Sequence, residues 1–252
     1  MKKNVFIIII LTACLFFVLP VTAGASENTI KTETIDTGNG PLKIFFIGHG
    51  TLKFSFNGKT IHVDPFSKLT DYSAQPKADL ILITHHHGDH LDKTAIAAIH
   101  TEKTKTIIPD KCKVKLPHAT IMNNGEKNEI MGITVEAVPA YNIQHKRKDG
   151  NPFHPKGEGN GYILTFGEKR IYVAGDTEVT PEMKQLKNID VAFLPMNLPY
   201  TMTPEMVVDA VKAFKPRVLY PYHYLFGTTD LPKLEELMKN VKSVKLKIIY
   251  RK

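Results

Sequence analysis

The run "ILITHHHGDHLD" at residues 81–92 limits what this chain can be more than any other stretch. Its lead-in, "ADLILIT" from Ala78 to Thr84, is apolar without alternation. That is the pattern of a strand buried on both faces, which needs layers packed above and below its sheet. Directly beyond it stand His85, His86, His87, Asp89 and His90. Side chains two apart on extended backbone share a face, so His85 and His87 converge on one point while His86 turns the other way. Gly88 lets the chain bend and aim Asp89 and His90 at a second point. Imidazoles and a carboxylate crowded together without a cation repel or desolvate one another, so the spacing suits two adjacent metal ions.

The remaining pattern supplies the layers. Apolar or alternating runs predict strands at 42–48, 52–56, 59–64, 105–108, 119–122, 132–138, 161–166, 169–174, 190–194, 217–220 and 244–249. Asn57-Gly58 marks a two-residue hairpin, because both positions tolerate positive φ. Helices are expected from Asp92, from Thr203-Pro204-Glu205 and from Asp230, each opened by a capping residue. Hairpins first and helix-strand alternation later predict two mixed sheets covered by helices. Residues 26–41 are polar and end in "TGNGP", so they read as a loose polar leader to a single domain at 42–252. Residues 139–160 have no period. A connection that long inside a compact domain is usually functional, and it carries His145 and His154.

Two later strand ends supply what a two-ion site still needs. Asp176 follows "RIYVAG" and His223 follows "RVLYPY". A carboxylate can offer one oxygen to each of two cations, and a further imidazole completes the second shell.

Taken together, "THHHGDH", "AGDT" and "PYHY" resemble the metal-binding motifs of the metallo-β-lactamase superfamily. "FFIGHGTLKFSF" and "KTIHVDPF" resemble the opening strands of its lactonase-like and phospholipase-D-like hydrolases. The resemblance implies an α/β fold, a four-layer αββα sandwich, with two divalent ions at one edge; zinc is expected, with manganese or iron the alternatives. It implies His85 and His87 at the first ion, Asp89, His90 and His223 at the second, and Asp176 bridging. The family also places a histidine just after the strand that ends here "VEAVPAYN", where this chain has Tyr141-Asn142. His154, His145 or the amide oxygen of Asn142 would have to serve instead. The implied reaction is hydrolysis of an ester, lactone, thioester or phosphodiester by a metal-bridging hydroxide, with Asp89 orienting it or taking its proton. The rival reading is a metal-binding module or pseudoenzyme with an incomplete first site.

Other residues invite weaker readings. Asp64 either supports the site from behind or ends a strand in a turn. His49, between Gly48 and Gly50, either reaches the active edge or fits a tight turn. Lys156 and Tyr200 are candidates for contact with a small-molecule substrate, an anionic one included.

The first residues set the expected location. Lys2 and Lys3, the apolar stretch from Val5 to Leu19, Pro20 and Ala23-Gly24-Ala25 have the layout of a secretory signal peptide at 1–25. Its apolar stretch falls short of the roughly 20 residues that span a bilayer. A periplasmic or secreted protein is therefore expected, with a lipoprotein cleaved before Cys14 in "LTAC" as the alternative. Cys112 would then be the sole cysteine, excluding an intrachain disulfide. The net charge of +8 comes from lysines spread along the chain, with one dense cluster at Lys146-Arg147-Lys148. No aromatic residues interleave with them in the way that stacks on bases, so nucleic acid is not an expected partner.

Overall fold

The structure, a computed structural model, describes residues 30–224 and 229–249. The expected signal peptide and Cys14 lie outside those residues. Two sheets of seven strands each form the centre of the fold. The first holds β1 (Lys31–Asp36), β2 (Pro41–Gly48), β3 (Thr51–Phe56), β4 (Lys59–Val63), β5 (Leu80–Leu82), β6 (Lys105–Ile108) and β7 (Thr120–Ile121), side by side in chain order. The second holds β8 (Lys127–Ile130), β9 (Ile133–Ala140), β10 (Gly159–Phe166), β11 (Lys169–Val173), β12 (Val191–Pro195), β13 (Val218–Tyr222) and β14 (Lys245–Leu246), again in chain order. Both use the same wiring. Strands pair antiparallel through β4 and through β11, then parallel to the far edge.

Burial explains the layering. The inner faces meet in one core, where Leu42, Ile44 and Phe54 of the first sheet pack with Val135, Tyr162 and Phe193 of the second. The outer face of the first sheet is covered by α1 (Lys93–Ile99), whose Ala95, Ile96 and Ile99 pack on Ile81 and Ile83. The outer face of the second is covered by the short α2 (Pro181–Lys184), by α3 (Pro204–Phe214) and by α4 (Leu231–Met238). The result is the four-layer αββα sandwich. Leu80 and Leu82 face inward and Ile81 and Ile83 outward, so the unbroken apolar run before the histidines is buried on both sides.

Local chemistry sets the boundaries. Asp92 caps α1 by accepting from the amides of Thr94 and Ala95, and Thr203 and Asp230 cap α3 and α4 in the same way. Asn57 and Gly58 both take positive φ, +47° and +73°, as the β3–β4 hairpin requires.

Three expectations need correction. Residues 31–36 are not loose leader but an edge strand, paired antiparallel with β2 from Lys31 to Asp36. "KTETID" shows little hydrophobic signal because most of its side chains meet solvent, while Thr32, Thr34 and Ile35 supply the β-branching. The polar strand β8 was not foreseen for the same reason. The runs expected to be paired at 78–84 and 244–249 keep ladder geometry only at Leu80–Leu82 and Lys245–Leu246.

Candidate metal centre

The ends of β2, β4, β5, β11 and β13 bring their following residues to one edge of the sandwich. Beyond β5, the carbonyl of Thr84 accepts from the amide of Asn160 on β10. Tyr162 Oη donates to the carbonyl of Ile83 at 2.9 Å. These two bonds tie the sheets together immediately beside the histidines.

Two groups of donor atoms, joined by a third, result among the described residues. His85, His87 and His154 form one; His49, Asp89, His90 and His223 form the other; His85, His90 and Asp176 span the two. In the first, Nε2 of His85 lies 3.0 Å from Nδ1 of His87. In the second, the Nε2 atoms of His90 and His223 are 2.9 Å apart, and Oδ2 of Asp89 is 3.7 Å from each. Asp176 stands between them. Its Oδ2 is 3.3 Å from His154 Nε2 and 4.0 Å from His85 Nε2, while its Oδ1 is 3.3 Å from His223 Nε2 and 3.5 Å from His90 Nε2. One carboxylate thus turns one oxygen toward each group.

The donor set fits divalent cations. His154 Nε2 and Asp176 Oδ1 are buried atoms without a hydrogen-bond partner, an arrangement that costs free energy unless something positive lies between them. Burial, together with repulsion from His90, holds His85 well below the ordinary histidine range. Burial and His154 lower His87 to about 4. Both imidazoles are therefore neutral near pH 7, with lone pairs to offer. Burial opposes ionisation of Asp176, but the facing His223 and His90 outweigh it and hold the carboxyl well below the usual range. Burial likewise opposes charge on His90, yet Asp176 and Asp64 raise its pKa to about 9. Carboxylates outcompete burial at this end of the cluster, which marks it as a place that attracts positive charge.

The supports behind the two groups differ. Asp64, fully buried beyond β4, accepts from the Thr84 amide and from Thr84 Oγ1, and its Oδ2 lies 2.7 Å from His90 Nδ1. It adopts a φ of +48°, so both readings of this residue hold: it turns the chain and it orients His90. His49 also does both. Its φ is +49°, its Nε2 sits 2.9 Å from Asp89 Oδ2, and its ring lies over that of His223 at 3.8 Å between centroids. Gly50 is required beside it, because a Cβ there would stand 2.8 Å from carbons of both His90 and His223.

The three candidates for the missing histidine separate clearly. His154 joins the first group, and its Nδ1 lies 2.7 Å from the Asn142 amide oxygen, which leaves Nε2 for Asp176 and the metal. Asn142 is therefore a support; its amide nitrogen donates to Glu178 and to the Tyr200 carbonyl. His145 is turned elsewhere, with Nδ1 at 2.8 Å from both the Thr201 carbonyl and Glu178 Oε1. Sequence reasoning missed Glu178. Only 1% exposed, it accepts from the backbone amides of Ile143, Gln144 and His145 at 2.6–2.7 Å and so anchors the loop that carries His154. The available signal was an acid two residues beyond Asp176, in "GDTE".

His86 joins neither group; its carbonyl accepts from Lys115 Nζ. The ammonium of Lys156 lies 2.9 Å from Glu182 Oε1 and 4.9 Å over the ring of Tyr141. An exposed loop lysine finds the nearest surface carboxylate. Tyr200 is 43% exposed, with its ring against Phe153.

Comparison with known proteins follows this geometry. Residues 43–223 match the family model described as a β-lactamase superfamily domain. The chain is 33% identical over 195 residues to a UPF0173 metal-dependent hydrolase of Thermococcus onnurineus, covering 73% of this chain and 84% of that protein. Among solved structures, a protein from Parabacteroides distasonis assigned as a metal-dependent hydrolase is 43% identical, with a TM-score of 0.82 over 87% of this chain and 98% of that one. The metallo hydrolase Igni18 of Ignicoccus hospitalis is 25% identical, with a TM-score of 0.65 over 83% and 95% of the two chains.

Proposed function

This chain belongs to the metallo-β-lactamase superfamily and is one of its metal-dependent hydrolases; from that premise we propose that it works with two divalent ions, zinc first among them, on a carboxylic ester, lactone, thioester or phosphodiester. The observation that carries this reading is Asp176, with one oxygen toward each of two imidazole groups. His85, His87 and His154 would hold one ion, and Asp89, His90 and His223 the other, with Asp176 shared. Ions held there lower the pKa of water toward neutrality and polarise the bond to be cleaved.

The residues of this chain do the rest. Asp64 and Asn142 hold His90 and His154 in the orientation that presents Nε2. The side chain of Asp89 is 36% exposed, whereas that of Asp176 is almost wholly covered, so Asp89 is the carboxylate that meets an arriving substrate and can take a proton from the attacking water. Export belongs to the same proposal. It rests on the basic, apolar and small-residue sequence of residues 1–25, and no helix among the described residues is long and apolar enough to cross a membrane.

Metal analysis of the purified protein tests the reading together with a panel of lactones, thioesters and phosphodiesters. Two equivalents per chain and turnover abolished by His87→Ala are expected. One equivalent, with an inert metal-replete protein, would instead leave a metal-binding module.

A further inference from the structure

Beside the second histidine group lies a cavity of about 100 Å³. His49 and His223 form one wall. Phe46, Leu52, Tyr222 and Ile249 form much of the rest, and the exposed lining is mostly apolar. Among the described residues its lining runs from the turn joining β2 to β3 to the segments that follow β13 and β14, at the edge where His49 and His223 stand. Polar substrate atoms would gain little along the apolar part of that lining, which offers them few partners. A hydrocarbon group would lose contact with water and gain packing.

A second observation points the same way. Among the described residues, four large apolar side chains are prominently exposed, and three of them, Ile143, Leu198 and Tyr200, sit on two loops next to the centre. Those loops touch through the Asn142 amide and the Tyr200 carbonyl, 2.9 Å apart, and they supply Asn142 beside His154 and Asn197 beside His223. An apolar rim next to a polar cluster is characteristic of a ligand site. Nearby lysines are meanwhile engaged: Lys156 with Glu182, Lys111 with Glu158, and Lys115 with the His86 carbonyl.

We infer that the cavity beside His49 and His223 is an acyl subsite, and that the substrates are uncharged esters or thioesters of short aliphatic acids rather than phosphodiesters. The inference rests on the hydrolase reading above. Water adds to the acyl carbon, the bond from that carbon to the leaving oxygen or sulfur breaks, and acid and alcohol or thiol are released. A cavity of about 100 Å³ takes a short aliphatic chain, and butyryl is the length we expect it to favour.

The test is a series of 4-nitrophenyl esters from acetate to octanoate, with bis(4-nitrophenyl) phosphate alongside, on the metal-replete full chain. Burial of about 0.8 kcal/mol per methylene predicts a rise of about fourfold in kcat/KM for each carbon from acetate to butyrate, then no further gain. Ile249→Trp, at the mouth of the cavity, should collapse the butyrate-to-acetate ratio toward one with metal content unchanged; Ile249→Phe serves if the tryptophan variant does not fold. Equal rates along the series, phosphodiester preferred over every ester, or an unchanged ratio in a folded Ile249 variant would overturn the subsite. Calorimetric titration with acetate and butyrate separates the two readings. Tighter butyrate binding without turnover of any ester supports the cavity and sinks the hydrolysis, while equal affinities sink the cavity.

Discussion

His90 and His154 face the same carboxylate, yet they arrive there by different routes. His90 is oriented by Asp64, which is buried at a strand end and fixed in turn by the amide and hydroxyl of Thr84 at the end of the next strand. His154 is oriented by Asn142, on a long connection between β9 and β10 that is anchored through Glu178. The group of His90 and His223 is thus built on the parallel ladder from β4 to β5. The first-ion group owes its third imidazole to a loop held by hydrogen bonds to one buried carboxylate. Two sites that share a bridging residue can therefore differ in how firmly they hold a cation, and the loop-built one is the more easily lost.

The strongest test of that contrast removes what the groups share. Asp176→Ala should empty both, with metal content falling toward zero and turnover dropping by more than the roughly 100-fold typical of outer partners. Gly50→Ala comes next. Its Cβ would collide with His90 and His223, so the variant should lose the second equivalent of metal and retain the first, as read by metal analysis. Asp64→Asn and Glu178→Gln probe the supports separately. Each should weaken one ion by about 10- to 100-fold, the second ion for Asp64 and the first for Glu178, measured by competition with a chelating dye. If either variant weakens both ions equally, the two groups are not independently built. The smallest effect belongs to Lys156→Ala, whose pair with Glu182 is exposed to solvent and screened, so its loss should leave both affinities and turnover unchanged.

The same contrast explains what could be read from the sequence. His85, His87, Asp89 and His90 are contiguous, and the strand before them fixes their directions, so alternation alone separates the two groups and sets His86 aside. Asp176 and His223 are legible because each follows an apolar strand, although only the resemblance joined them to the first motif. Three candidates stood for the missing histidine, and the flanking Pro152 and Pro155 favoured His154 without deciding it. Choosing among them requires knowing how the loop folds, and that depends on hydrogen bonds from a distant carboxylate rather than on any periodicity. For the same reason the acid in "GDTE" could be seen in the sequence, but its role as the anchor of that loop could not. Strand β1 was lost for a different one: an edge strand exposed to solvent needs no apolar face, so its pattern resembles that of a loop.

The repeated wiring of the two sheets has a mechanical consequence. The histidines beyond β5 belong to one sheet, and Asp176 and His223 to the other, so cations held among them would rivet the sandwich. Stripping them with a chelator should let the two layers part at that edge first, and binding them again should cost whatever freedom the edge had gained. The reactive centre would then double as a fastener, and the protein would become stiffest where it does its chemistry.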